Sequence, residues 1–305
     1  KYIWILIKMP SWNEVLKEID GIDKDNPIDV VRRKYLSQLH KHTGRNVIAY
    51  YSAFLQHPGK MNSNITDDDK NGFMNCIHKM DCSKGLDLIL HTPGGDIAAT
   101  ESLVSYLRAK FGNNIRAIIP QLAMSAGTMI ACACNEIVMG KQSSLGPFDP
   151  QFGGIPAYGV LEEFEKAKNE IIANPKAATY WQFIIGKYHP TFIGQCEKAI
   201  KWSGKIVKDW LITGMLKEHN DPEKVAENIV SKLNNHEDTF SHNRHFDIQQ
   251  LKEIELRILE LEEDQKLQDL VLTIHHCYMH VFGGAPIIKA IENHMHKGMF
   301  YRFTN

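Results

Sequence analysis

The sequence predicts an α/β domain with a parallel sheet and crossover helices. Three observations carry this reading. Compact runs rich in β-branched and aromatic residues recur at Asn46–Phe54, Leu86–His91, Ile115–Pro120 and Glu136–Met139. Between the second and third, Ile97, Leu103, Val104, Leu107 and Phe111 fall on one helical stripe. From about Tyr158 onward the pattern turns mostly helical. Strands that alternate with helices pair in parallel, because each crossover returns the chain to the same end of the sheet.

Each element has its own signal. Asn46–Phe54 reads as a strand, and the polar loop after it leads into DDDKNGFMNCI, a helix start with Asp as the cap. Leu86–His91 is a short apolar run stopped by Thr92-Pro93-Gly94-Gly95, hence a buried strand ending in a turn. Asp96 stands where it can cap the next helix. YGVLEEFEKAKNEII is amphipathic, and Asp221-Pro222 supplies an N-cap followed by an N1 proline. The charged stretch from Gln249 to His280 continues the helical region. The expected organisation is a leader and helix over 1–30, a catalytic domain over 31–215, and a helical extension over 216–305, packed on the core or on a neighbouring subunit.

Composition narrows the function. Of 305 residues, 43% are hydrophobic and 23% charged, as in a soluble globular chain. The formal net charge of -1 leaves no electrostatic footprint for nucleic acid. Six cysteines show no framework spacing, so reduced thiols and a cytoplasmic location are expected. Cys132 and Cys134, among small apolar residues, read as buried thiols. The apolar run Tyr2–Ile7 is far short of the roughly 20 residues a bilayer span needs. It reads as a short strand or leader. Membrane association is expected only through a removed N-terminal segment.

Two stretches stand out chemically. In HTPGG, proline fixes the turn, and the glycines Gly94 and Gly95 leave backbone N–H groups open to an anion or a developing oxyanion. In QLAMSAGTMIACAC, Ser125 sits between a strand and a helix start. It is either a helix cap or a nucleophile; in the second case the Ala126 N–H and a glycine N–H from Gly94-Gly95 would hold the oxyanion. Ala123–Gly127 also resembles a G-x-S-x-G elbow with alanine first. Histidines available downstream are His236, His242, His245, His275, His276 and His280, none in a distinctive context. His276 and His280 are spaced for two metal ligands on a helix, but no third ligand accompanies them. No metal or cofactor is expected.

LILHTPGGDIAATESLVSYLRAKF, IIPQLAMSAGTMIACACNEIVMGKQSSLGPFDPQFGG and YGVLEEFEKAKNEI resemble the serine dehydrogenase proteinase family. That family is similar to signal peptide peptidase A, to the NfeD-associated proteases and, more distantly, to the Clp peptidase and crotonase fold. The name refers to a protein substrate and implies no dehydrogenase chemistry. The resemblance implies a ClpP/crotonase-like spiral of ββα units. It makes Ser125 the nucleophile, Gly95 and Ala126 the oxyanion hole, and Pro93 and Gly94 the supporting turn. No histidine lies between His91 and His189, so a Ser–His–Asp triad in the Clp order is not expected. The relatives with a Ser–Lys dyad point to Lys166, with Lys168 as the alternative. The activity implied is hydrolysis of peptides or unfolded protein through an acyl-enzyme, in a homo-oligomer of three or more copies. The rival functions are a non-catalytic crotonase-fold scaffold and an acyl-CoA-processing enzyme. On this reading Gly95→Ala costs activity far more than stability.

Overall fold

The computed structural model describes residues 11–60, 62–234 and 241–303; the run Tyr2–Ile7 and His236 lie outside them. The chain opens with helices α1 (Trp12–Asp20) and α2 (Pro27–Thr43), then β1 (Asn46–Ser52), α3 (Asp69–Ile77), β2 (Leu86–His91) and α4 (Ile97–Phe111). There follow β3 (Ile115–Ile119), β4 (Leu122–Ala123), α5 (Ala126–Cys132), β5 (Glu136–Met139), β6 (Ser144–Leu145), and the small hairpin β7 (Gln151–Phe152) and β8 (Ile155–Pro156). Helices α6 (Ala157–Ala173), α7 (Ala178–Ile185), α8 (Phe192–Thr213), α9 (Pro222–Asn234) and α10 (Ile248–Glu253) come next. The chain closes with β9 (Ile258–Glu260), α11 (Gln265–Gly284), β10 (Ile287–Asn293) and β11 (Gly298–Arg302).

The main sheet has the order β11-β10-β1-β2-β3-β5-β9. From β1 to β9 all pairings are parallel, whereas β10 and β11 join antiparallel at one edge. The α/β class is as the sequence predicts. Two successive units run strand, short second strand, helix: β3-β4-α5 and β5-β6 leading to α6. Their short strands, β4 and β6, pair in parallel away from the main sheet.

Both faces of the sheet are covered, so the strands β1 and β2 are buried along their whole length and are mostly apolar. Alternate residues still divide between two cores. Ile48, Tyr50, Leu88 and Leu90 face the layer containing α3, α4, α5 and α8. Val47, Ala49, Tyr51 and Ile89 face α2 and α11. Cys132 and Cys134 are buried in the first core, and burial pushes both thiols up to about 12. Asp96 caps α4 by accepting the Ala99 N–H at 2.8 Å. Asp221 accepts the Lys224 N–H at 3.4 Å.

Three expectations change. The stretch after residue 215 is not a helical extension: it supplies β9, β10 and β11, three of the seven strands of the main sheet. Ile287–Asn293 is buried on both faces, so it shows no alternation that would announce a strand. The charged stretch Gln249–His280 is broken into α10, β9 and α11, because Ile258–Glu260 pairs with β5. The boundary at residue 30 falls within α2, which packs on α11 and belongs to the core. The cap of α3 also differs. Asp68 makes no side-chain cap bond, and Asp69 turns back to accept the Thr66 N–H at 2.9 Å.

β2 directs its last residue, His91, into the α11-side core, against the rings of Tyr51, Phe54 and His275. Burial drives the His91 pKa down to about 3 and lowers that of His275 as well. An unfolded histidine takes its proton near pH 6.5, so across the window from 6.5 to 3 the unfolded chain binds more protons than the folded one. This part of the stability is complete above pH 6.5 and is lost as the pH falls toward 3. The slope is at most about 1.4 kcal/mol per pH unit for each such histidine. We expect urea unfolding of His91→Leu to lose less stability between pH 7 and pH 4.5 than wild type does. Parallel losses would show that His91 is not the acid-sensitive group.

Candidate functional site

The glycine turn and the serine turn are brought together by two isolated parallel bridges. Thr92 pairs with Ala123: its N–H donates to the Leu122 carbonyl at 3.1 Å, and the Met124 N–H donates to the Thr92 carbonyl at 3.0 Å. Ile65 pairs with Gly95 in the same manner. Gly127 lies so close to Thr92 that a Cβ there would meet Thr92 Cγ2 at 2.6 Å. Thr128 ties the serine turn to the Ser144-Leu145-Gly146 turn, donating its hydroxyl to the Gly146 carbonyl at 2.7 Å.

Ser125 occupies the residue before α5 with φ 51° and ψ −117°. Side chains other than glycine rarely adopt this region, and holding one there costs on the order of 1–3 kcal/mol. Its hydroxyl caps no backbone N–H. The helix-cap reading therefore fails, and the strained turn presents the side chain outward. Ala126 is the first residue of α5, so its N–H has no intrahelical acceptor.

Ser125 opens into a cleft of about 760 Å³, with Pro93, Gly94 and Gly95 on one wall and Phe148, Asp149 and His242 among the others. His242 Nδ1 lies 2.8 Å from Asp149 Oδ1. Asp149 is buried and His242 half-buried. A distant bridge positions this pair. Leu145 and Phe246 exchange backbone hydrogen bonds of 3.2 and 2.8 Å, which lays the loop after Ser241 alongside the Gly146–Pro150 segment.

The site residues read from the sequence divide into two groups. Pro93, Gly94, Gly95, Ser125 and Ala126 come together around the cleft. Lys166 and Lys168 do not line it. Lys166 is exposed beside Pro156, Glu163 and Trp181. Lys168 is exposed and pairs with Glu165 at 3.0 Å. The reason lies in the face of α6 that is buried. Ala157, Val160 and Ala167 turn inward, which sends both lysines to solvent and removes the apolar surroundings a lysine base needs. His276 and His280 pack on Trp12, with ring centroids 5.7 and 4.0 Å apart, and no group of three His, Cys, Asp or Glu side chains converges among the described residues. The sequence reading missed the pairing of Asp149 with His242. Its signal was slight: an aspartate within SLGPFDPQ, and one histidine among many.

A strained serine beside glycine amides, with an Asp–His pair in the same cleft of an α/β fold, is the arrangement found in serine hydrolases. The chain belongs to the ClpP-like SDH-type serine proteinases, whose family model matches residues 29–281. It is similar to two uncharacterized proteins of Methanocaldococcus jannaschii. With MJ1495 it shares 31% identity over 194 residues, 64% of this chain and 59% of that protein. With MJ0137 it shares 38% identity over 102 residues, 33% of this chain and 35% of the relative. The chain thus matches less than two thirds of the length of either relative. Among the described residues, no helix is long and apolar enough to cross a membrane.

The geometry revises the expectation for Gly95. A Cβ there would lie 2.3 Å from Ile65 N and 2.4 Å from Ile65 O, both backbone atoms. Gly95→Ala must displace the Ile65 segment. We expect it to lower stability by about 1–3 kcal/mol, the usual cost of overpacking, as well as activity. A thermal melt identical to wild type would contradict this.

Proposed function

We propose that this chain is a serine peptidase in which Ser125, His242 and Asp149 act as a triad and the amides of Gly95 and Ala126 hold the oxyanion. The observation that carries the reading is the Asp149–His242 pair in the cleft onto which Ser125 opens. With the Nδ1 proton donated to Asp149, Nε2 of His242 is the free base. It takes the proton from Ser125 Oγ as the hydroxyl attacks the peptide carbonyl, and passes it to the leaving amine. Water then enters, His242 takes its proton in turn, and the acyl-enzyme is hydrolysed. The developing negative charge on the carbonyl oxygen is met by the two backbone donors.

This replaces the lysine dyad suggested by the family resemblance with a histidine base, because neither Lys166 nor Lys168 lines the cleft. The substrate class proposed is peptides or unfolded protein, and assembly is through copies of the chain itself. Ile172 and Phe183, 72% and 69% exposed on α6 and α7, supply apolar surface that suits burial against another copy.

Two expected outcomes test the reading. A fluorophosphonate should label wild type at Ser125. Ser125→Ala and His242→Ala should lose peptide hydrolysis by about 10³-fold or more while keeping their thermal melts, and Lys166→Ala and Lys168→Ala should hydrolyse normally. A dead Lys166 or Lys168 variant beside an active His242→Ala would restore the dyad. Absence of labelling would favour a scaffold or an acyl-CoA enzyme. For assembly, light scattering at micromolar concentration should report an oligomer. A monomer would contradict it.

A further inference from the structure

The segment Asn64-Ile65-Thr66 forms part of the wall of the Ser125 cleft. The Ile65 N–H donates to the Gly94 carbonyl at 2.8 Å, and the Asp96 N–H donates to the Ile65 carbonyl at 3.0 Å. In this parallel bridge the neighbours of Gly95 make the bonds, so the Gly95 N–H itself turns away from Ile65. Its direction is therefore set by where the segment lies.

One buried ion pair grips that segment on both sides of Ile65. Lys289 of β10 is 1% exposed; its ammonium donates to the Asn64 carbonyl at 2.9 Å and lies 2.5 Å from Asp69 Oδ1. Asp69 Oδ2 accepts the Thr66 N–H and the Tyr50 hydroxyl, each at 2.9 Å. Asp69 and Tyr50 are as deeply buried as Lys289. Packing alone gives no reason for the pair, since replacing a buried ion pair by apolar side chains is often neutral or stabilising. Each of its charged ends holds a backbone atom that flanks Ile65.

We propose that Lys289 and Asp69, steadied by Tyr50, are positioning residues that aim the Gly95 amide at the oxyanion. This rests on the catalytic reading above. The pair touches no substrate and acts through the chain Lys289/Asp69, Asn64–Thr66, Gly95. A donor turned from its target by a fraction of an ångström still admits substrate but stabilises the tetrahedral oxygen poorly.

The test removes both charges together, so that neither is left buried alone. In Lys289→Met/Asp69→Leu we expect kcat to fall about 10- to 100-fold, with KM within about twofold of wild type. The Ki of a peptide aldehyde, whose hemiacetal oxygen sits at the oxyanion position, should rise by a similar factor. Hydrogen exchange should show lost protection at the Ile65 and Asp96 amides. Tyr50→Phe removes one bond to Asp69 and should act in the same direction by about two- to tenfold, which serves if the double variant does not fold. Folded variants with wild-type kcat and aldehyde affinity would overturn the proposal, as would a rise in KM at constant kcat. If wild type takes no fluorophosphonate at Ser125, the catalytic reading falls and this proposal falls with it. Labelled wild type beside unaffected variants overturns this proposal alone.

Discussion

The cleft depends on one close backbone contact. Gly95 lies against Ile65 with no space for a Cβ, and the hydrogen bonds on either side of that contact leave the glycine N–H pointing elsewhere. Everything else at the site is arranged around it. Gly94, at φ +102°, faces Ser125 so closely that a Cβ would meet the serine Cβ at 2.6 Å. The serine turn is held in register by the bridge between Thr92 and Ala123, two residues before Ser125. Strain at Ser125 persists because both neighbouring turns are bonded into the sheet end and cannot relax independently.

Buried charge supports this arrangement from outside the cleft. Lys289 and Asp69 sit where β10 pairs with β1 and where α3 begins, and both reach the segment that braces Gly95. A second cluster joins α2 to the same strand, β10. Arg32 and Arg33 bond to Glu292 at 2.6 and 2.9 Å, and the Tyr278 hydroxyl joins at 3.2 Å. Desolvated charges of this kind tolerate few alternative arrangements, because any displacement leaves one of them without its partner. The antiparallel edge formed by the end of the chain is therefore tied to the helix near its start.

The base of the proposed triad arrives by a different route. Ninety-three positions separate His242 from Asp149, and α6 to α9 intervene. The exchange of backbone bonds between Leu145 and Phe246 closes that distance. Neither residue carries a sequence signal for pairing, since a single bridge imposes no alternation. The lysines of α6 are nearer in sequence, but α6 buries Ala157, Val160 and Ala167 and presents its charges to solvent.

The sequence by itself determined the α/β alternation, because strand and helix periodicity are local properties of the chain. It also determined the two turns that matter: Pro93-Gly94-Gly95 permits a backbone path that other residues resist, and Ser125 followed by a helix start leaves a hydroxyl at a junction. Tertiary structure alone decided which strands close the sheet, since Ile287–Asn293 is buried on both faces and has no pattern to read. It alone decided that Gly95 touches Ile65 backbone, which makes that glycine a structural requirement as well as the proposed amide donor. It also decided which titratable side chains share the cleft with Ser125. Burial and long-range pairing are properties of the folded chain, and both Asp149–His242 and Asp69–Lys289 exist only once segments far apart in sequence have been laid side by side.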